Sequence, residues 1–365
     1  MREWMRGQNL QEIETPALVL DVAAAERNIR KMAELFAGGP TRLRPHVKTH
    51  KTPLLAHKQL AAGAIGITCA KLGEAEVMVA AGVRDVLVSS EVVGARKIAR
   101  LLALNRHARV ITVVDDGNAA REISEAAERE GMRIPTLIDL DVGQGRTGVA
   151  PGEPALALVQ AAARMPGLQL VGLQGYEGHL QHVVDPDERG ERCRAAMKAL
   201  TDTATMIREA GHELDIVSTS GTGTHAYAGG YPGVTELQPG SYVVMDSHYA
   251  SVKGLSFEHA LTVLTTVVSK VKPDVGIVDA GYKTLSSDSG MPAIRNLGDA
   301  RFAFGGDEHG KLLFEQPRGD IRVGDKFELV PSHCDTTINL HDVYYVVRDG
   351  RLEDIWPIAA RGKIQ

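Results

Sequence analysis

From residue 17 to about residue 240, short β-branched runs alternate with Ala-rich helical stretches. That alternation restricts the chain to a small set of α/β folds. Residues 17–20 read as a strand, and Asp21 as the N-cap of a helix running to about Phe36. Further strands are predicted at 43–47, 65–69, 86–88, 110–114, 136–141, 168–174 and 214–218, with an eighth near 234–237. Two Ala-Ala-Gly triplets, at 61–63 and 80–82, each close a helix with a C-terminal glycine. Repeated strand–helix units of this length predict a (β/α)8 TIM barrel, with a doubly wound open sheet as the rival. After about residue 250 the texture changes. Strands are expected at 261–271, 274–279, 300–304, 326–330 and 343–348, and Asp349-Gly350 joins the last to 352–355 as a hairpin. The expected division is a barrel over 17–250 and a mainly-β domain over 251–365, which residues 1–16 are free to join.

Composition narrows the function classes. Lys plus Arg total 41 against 46 Asp plus Glu, a net charge of −5 with no basic run, which argues against nucleic acid. Three cysteines are too few and too odd in number for a disulfide framework. Residues 1–11 contain no leader-like apolar core, and no apolar stretch approaches ~18 residues. The expectation is a cytoplasmic protein acting on a small molecule, away from membranes.

Five clusters could carry chemistry. The segment Arg44-Pro45-His46-Val47-Lys48-Thr49-His50-Lys51 ends the first barrel strand, where barrel active sites lie. On an extended strand His46, Lys48 and His50 share one face. A lysine buried there can act as a Schiff-base amine, burial lowering its pKa; taken alone, the segment also fits a solvated basic loop. Gly143-Gln144-Gly145-Arg146-Thr147-Gly148 matches the dinucleotide pattern, but no acidic residue occurs between Pro154 and Tyr176 and the motif opens no βαβ pair. Arg146 is better read as aimed at an anionic ligand. His179 and His182, three apart, suit a metal or a general base. Ser220-Gly221-Thr222-Gly223 follows the seventh barrel strand, the usual phosphate position in this barrel. In Pro331-Ser332-His333-Cys334-Asp335, extended backbone would point His333 and Asp335 the same way. They would form an imidazole–carboxylate pair for Mn²⁺, Mg²⁺ or Zn²⁺, whereas Cys334 as ligand would make the site softer.

Together these motifs resemble the D-threonine aldolase and D-serine dehydratase family of alanine-racemase-like, fold-type III enzymes carrying pyridoxal 5′-phosphate (PLP). Thr15-Pro16-Ala17 and Asp279-Ala280-Gly281 add to the resemblance, which covers nearly the whole chain. It implies that Lys48 carries the cofactor and that Arg146 and Tyr176 hold the pyridoxal ring. Ser220, Gly221, Thr222, Gly223 and Tyr242 would hold the phosphate, and His333 and Asp335 a divalent metal, Mn²⁺ foremost. His182 resembles the base near the substrate hydroxyl, and the assembly implied is a head-to-tail homodimer. Dehydratase members carry His-x-Cys at the metal motif and aldolase members His-Cys-Asp. This chain has His333-Cys334-Asp335, on the aldolase side. The activity implied is retro-aldol cleavage of D-threonine and related β-hydroxy-D-amino acids to glycine and an aldehyde. The alternative is a metal-dependent dehydratase of D-serine or 3-hydroxy-D-aspartate.

Overall fold

The computed structural model describes residues 6–365. The expectations for residues 1–5, as part of a leader-free start and of the β domain, lie outside the described residues. The first strand, β1 (Ala17–Asp21), is followed by a helix over Val22–Phe36 whose Asp21 N-cap accepts the Ala24 N–H at 3.0 Å. Eight parallel strands come next: β2 (Arg42–Leu43), β3 (Ile67–Cys69), β4 (Asp85–Val88), β5 (Arg109–Val114), β6 (Ile134–Asp139), β7 (Leu168–Gly175), β8 (Ile216–Thr219) and β9 (Glu236–Leu237). They pair in the order β2-β9-β8-β7-β6-β5-β4-β3.

The two ends of that order meet. His46 and Thr68 form a parallel bridge, and the N–H groups of Val47 and Thr68 donate to Thr68 O and Pro45 O, each at 2.8 Å. The ring is therefore closed, which settles barrel against open sheet, since an open sheet would leave both strands as edges. Buried Arg44 reinforces this thin seam: its Nε donates to Glu236 Oε1 on β9 at 2.9 Å and its other end pairs with Asp85 on β4. Gly66 is required there, because a Cβ would fall 2.3 Å from the Arg44 guanidinium. Inside the barrel, Leu87, Ile111, Val113, Leu137, Val171 and Ile216 pack as one apolar cluster. Gly63 and Gly82 take positive φ after their helices, as the Ala-Ala-Gly triplets predict.

The mainly-β part adds β10 (Leu261–Lys272), β11 (Val275–Val278), β12 (Ala293–Ile294), β13 (Ala300–Phe304), β14 (Gly310–Phe314), β15 (Lys326–Val330), β16 (Val343–Arg348) and β17 (Arg351–Pro357). The sheet runs β13-β14-β11-β10-β1-β16-β17, with β15 pairing β10 and β12. Its β1 is the departure from the expected division at residue 17: it lies antiparallel to β10 and parallel to β16, not in the barrel. Residues 7–10 follow it, pairing with Gly350 to Leu352 at the β16–β17 hairpin. Thr15 Oγ1 donates to Asp279 Oδ2 at 2.6 Å, so two of the resembling motifs form a structural latch between β1 and β11. No helix among the described residues is long and apolar enough to cross a membrane.

Candidate active site

A cavity of about 220 Å³ opens where the C-terminal ends of the barrel strands meet the β domain. Lys48, Arg146, Tyr176, His182, Ser220, Gly221, Thr222, His333 and Asp335 all line it. Of the candidate residues, Gly223 and Tyr242 do not.

The lysine segment leaves the ladder at Val47 and turns, Lys51 N–H reaching back to Val47 O at 2.8 Å with Lys51 at φ +52°. The turn corrects the expectation of alternating faces. His46, Lys48 and Thr49 face the cavity, while His50 points away, its Nε2 3.2 Å from Gln59 Oε1. Lys51 is neutralised by Glu74, whose Oε1 is 2.5 Å away. Lys48 has no such partner among the described residues. The expected depression of its pKa is also corrected: burial, the largest single influence, lowers it, but Tyr176, Asp335 and Glu74 raise it and the net direction is up. His46 is held neutral, burial and then Lys48 pushing its pKa far down.

The glycine loop around Arg146 is pinned by acidic side chains at the ends of β6 and of its neighbour β5. Asp141 Oδ1 accepts from the Gly143 and Gly145 N–H groups at 3.0 and 2.9 Å, and Asp115 accepts from Gly148. Gly148 sits at φ +102° with a Cβ position only 2.4 Å from Asp141 N, so glycine is needed for this close return. The loop sets the Arg146 guanidinium 5.7 Å from the Tyr176 ring centroid, a cation–π arrangement. Behind it, Gln238 donates to Gln174, and Gln174 donates to Asp139 Oδ1 at 2.8 Å. Burial first, and then neighbouring Glu91, push Asp139 up to about 7, opposed by the Gln174 hydrogen bond.

At the β8 end, Tyr242 N–H donates to Thr222 Oγ1 at 3.0 Å, and the Tyr242 hydroxyl accepts from Gln59. Tyr242 thus braces the loop from behind. Gly223 N–H is likewise taken, by Gln181 Oε1 at 2.8 Å. The Thr222, Gly240 and Ser241 N–H groups have no acceptor within the chain among the described residues, and Thr49 Oγ1 is buried without a partner. These residues line one end of the cavity and form a set of donors fit for an anion.

At the opposite end, the expected extended backbone at 333–335 is instead the start of a helix, Cys334–Ile338, with His333 as N-cap. His333 Nδ1 lies 2.5 Å from Asp288 Oδ2, and Asp288 Oδ1 accepts from Thr336 at 2.8 Å, which leaves His333 Nε2 free. Cys334 is fully buried and does not line the cavity; burial and Asp246 push its thiol far up. No group of three or more His, Cys, Asp or Glu gathers as a metal cage among the described residues. The chain offers two donors, His333 Nε2 and the Asp335 carboxylate, a set that fits a hard or borderline dication whose shell water or substrate completes. His182 stacks on His248 with centroids 3.8 Å apart and planes 2° apart. Burial, then His248 and His333, push it down to about 4, so it is a neutral base. His179 lies apart, its ring 3.4 Å from the Cβ position of Gly143, so the two histidines do not converge.

Over 98% of its length the chain is 43% identical to D-threonine aldolase from an Arthrobacter species, covering 95% of that protein. The chain belongs to the D-threonine aldolase family. As a member of the D-threonine aldolase family it is a lyase. The alanine racemase N-terminal domain matches residues 20–248, and a putative serine dehydratase domain matches residues 260–347. The crystal structure of D-threonine aldolase from Filomicrobium marinum superimposes with a TM-score of 0.96 at 42% identity, covering 99% of each chain. The 3-hydroxy-D-aspartate aldolase of Paracoccus denitrificans is 37% identical over 98% of this chain and 94% of its own. Within this family frame, sequence reasoning overlooked Asp288, Glu177 and His248. Asp288 lies in a loop without a motif, and only its contact with His333 marks it.

Proposed function

We propose that this protein cleaves D-threonine and related β-hydroxy-D-amino acids to glycine and an aldehyde, using PLP and a divalent cation. The carrying observation is the placement of an unpaired amine, Lys48, in the same cavity as His333 and Asp335. Mn²⁺ is the proposed ion, with Mg²⁺ and Zn²⁺ compatible with the same donors. PLP, when bound, supplies the electron sink for breaking Cα–Cβ. The cation supplies a Lewis acid at the β-hydroxyl.

The chain's own residues divide the remaining work. Lys48 provides the amine that anchors the coenzyme, and Arg146 with Tyr176 fixes the ring. The Thr222, Gly240 and Ser241 N–H groups receive the phosphate, with the Ser220–Thr222 loop shaping its seat. His333 Nε2 and Asp335 hold the cation opposite. His182, neutral and in the cavity, takes the substrate hydroxyl proton as the Cα–Cβ bond opens to the aldehyde. The aldolase reading gains support over the dehydratase one from Cys334, whose thiol lies outside the cavity while the Asp335 carboxylate lies in it.

The test is a product assay. Protein reconstituted with PLP and Mn²⁺ and given D-threonine should yield glycine and acetaldehyde in equal amounts. Release of 2-oxobutanoate and ammonia would overturn the reading in favour of dehydration.

A further inference from the structure

Glu177 is fully buried one residue beyond Tyr176, yet it faces the loop after β8 instead of the cavity. Its Oε2 accepts from the Ser220 N–H at 3.2 Å and lies 2.9 Å from Thr219 Oγ1, whose hydroxyl proton it shares with Gly175 O at 2.6 Å. Its Oε1 accepts from Thr224 Oγ1 at 2.5 Å and from Gln181 Nε2 at 3.4 Å. Gln181, one turn further on, accepts the Gly223 N–H and donates to Thr224 Oγ1 at 2.9 Å. Ser220 is held at φ +68°, a conformation a serine reaches only when its surroundings impose it. The loop presses so closely on this pair that a Cβ at Gly223 would fall 2.0 Å from Gln181 O.

We infer that Glu177, with Gln181, is the positioning residue that selects which loop donors face the cofactor phosphate. A loop of small residues with free N–H groups has no preferred anion-binding shape of its own. Here the buried carboxylate and amide take up the Ser220 and Gly223 N–H groups, and Ser220 is fixed in the left-handed region. The Thr222 N–H is left for the cavity, beside Gly240 and Ser241. Because Glu177 directly follows Tyr176, one short segment also sets the ring contact and the phosphate cradle in register. The inference rests on the PLP reading above and adds a residue outside the cavity to it.

Comparison of PLP with pyridoxal, which lacks the phosphate, isolates that end of the site. Glu177→Gln keeps the shape but sets an amide nitrogen against either the Ser220 N–H or the Gln181 amide, donor to donor. Affinities are read by absorbance titration of the cofactor-free protein. The variant should bind PLP roughly 10-fold more weakly or worse, with pyridoxal affinity unchanged, so the preference for the phosphorylated form collapses. Inorganic phosphate should also compete less well with PLP. An equal loss for both cofactors, or no loss for either, overturns the inference, because a general structural role predicts no selective effect on the phosphate. Thr224→Val and Thr224→Ser provide the parallel test if Glu177→Gln fails to fold. The valine should lose PLP preference and the serine, which keeps the hydroxyl donor to Glu177, should restore it; identical behaviour of the two contradicts the inference. If the unmodified protein binds neither cofactor, the functional reading itself falls, a result separate from any of these.

Discussion

Lys51 Nζ lies 2.5 Å from Glu74 Oε1, so of the two lysines at this strand end one is already committed to a buried carboxylate. Lys48, three residues earlier, faces the cavity. Lys48→Ala should abolish the visible absorption of lysine-bound PLP together with activity. Lys51→Met should keep the band but lose about 3 kcal/mol of stability, since Glu74 is left buried and unpaired. Absorbance spectra and denaturant melts of the two variants check this, and a band that survives in Lys48→Ala would refute the assignment.

Asp288 fixes the His333 ring through Nδ1 and is itself held by Thr336. Carboxylates in that position tune ligand basicity and orientation, and their loss typically costs about 10- to 100-fold in metal affinity. Asp288→Ala should raise the Mn²⁺ concentration needed for half-maximal activity by about that factor, measured by titrating chelator-treated enzyme. An unchanged titration curve would show that His333 needs no such support.

Arg44 joins β9 to β4 across the seam where the chain after β2 meets β3 through the His46–Thr68 bridge and a few hydrogen bonds beside it. Arg44→Met leaves Glu236 buried without its counter-charge. The expected loss is about 3–5 kcal/mol in urea unfolding, from a side chain that does not line the cavity.

Asp139, pushed up to about 7 by burial and Glu91, retains a proton that an unfolded chain has released above about pH 4. Between about pH 4 and pH 7 the native state therefore binds more protons than the unfolded one, and stability falls as pH rises across that window, levelling off above it. Asp139→Asn should flatten that decline by roughly 2–4 kcal/mol in melts across the range. A decline of the same depth in the variant would place the titration elsewhere.

The barrel was legible because its strands are short apolar runs at regular spacing, a local signal that survives without knowledge of partners. What failed was partner choice. Residues 17–20 read correctly as a strand but pair with β10 and β16, because an apolar run carries no record of the sheet it joins. β14, Gly310–Phe314, escapes the sequence reading because Leu312-Leu313-Phe314 is a short run without clean alternation, although Gly and Pro turns flank it. At the site, the residue types of the motifs were readable while their directions were not. The backbone pairing ends at Val47, so His50 leaves the cavity side and Thr49 joins it, and a helix starts at Cys334 where extended chain was expected. Glu177 and Asp288 act through other residues, and such supporting roles leave no spacing signature in the sequence.

The most direct test of the account is to fix the coenzyme where it sits. Reducing the PLP-loaded protein with borohydride and mapping its peptides should place a single pyridoxyl group on the side-chain nitrogen of Lys48. A pyridoxyl group found on Lys51, on another lysine, or on none would contradict it.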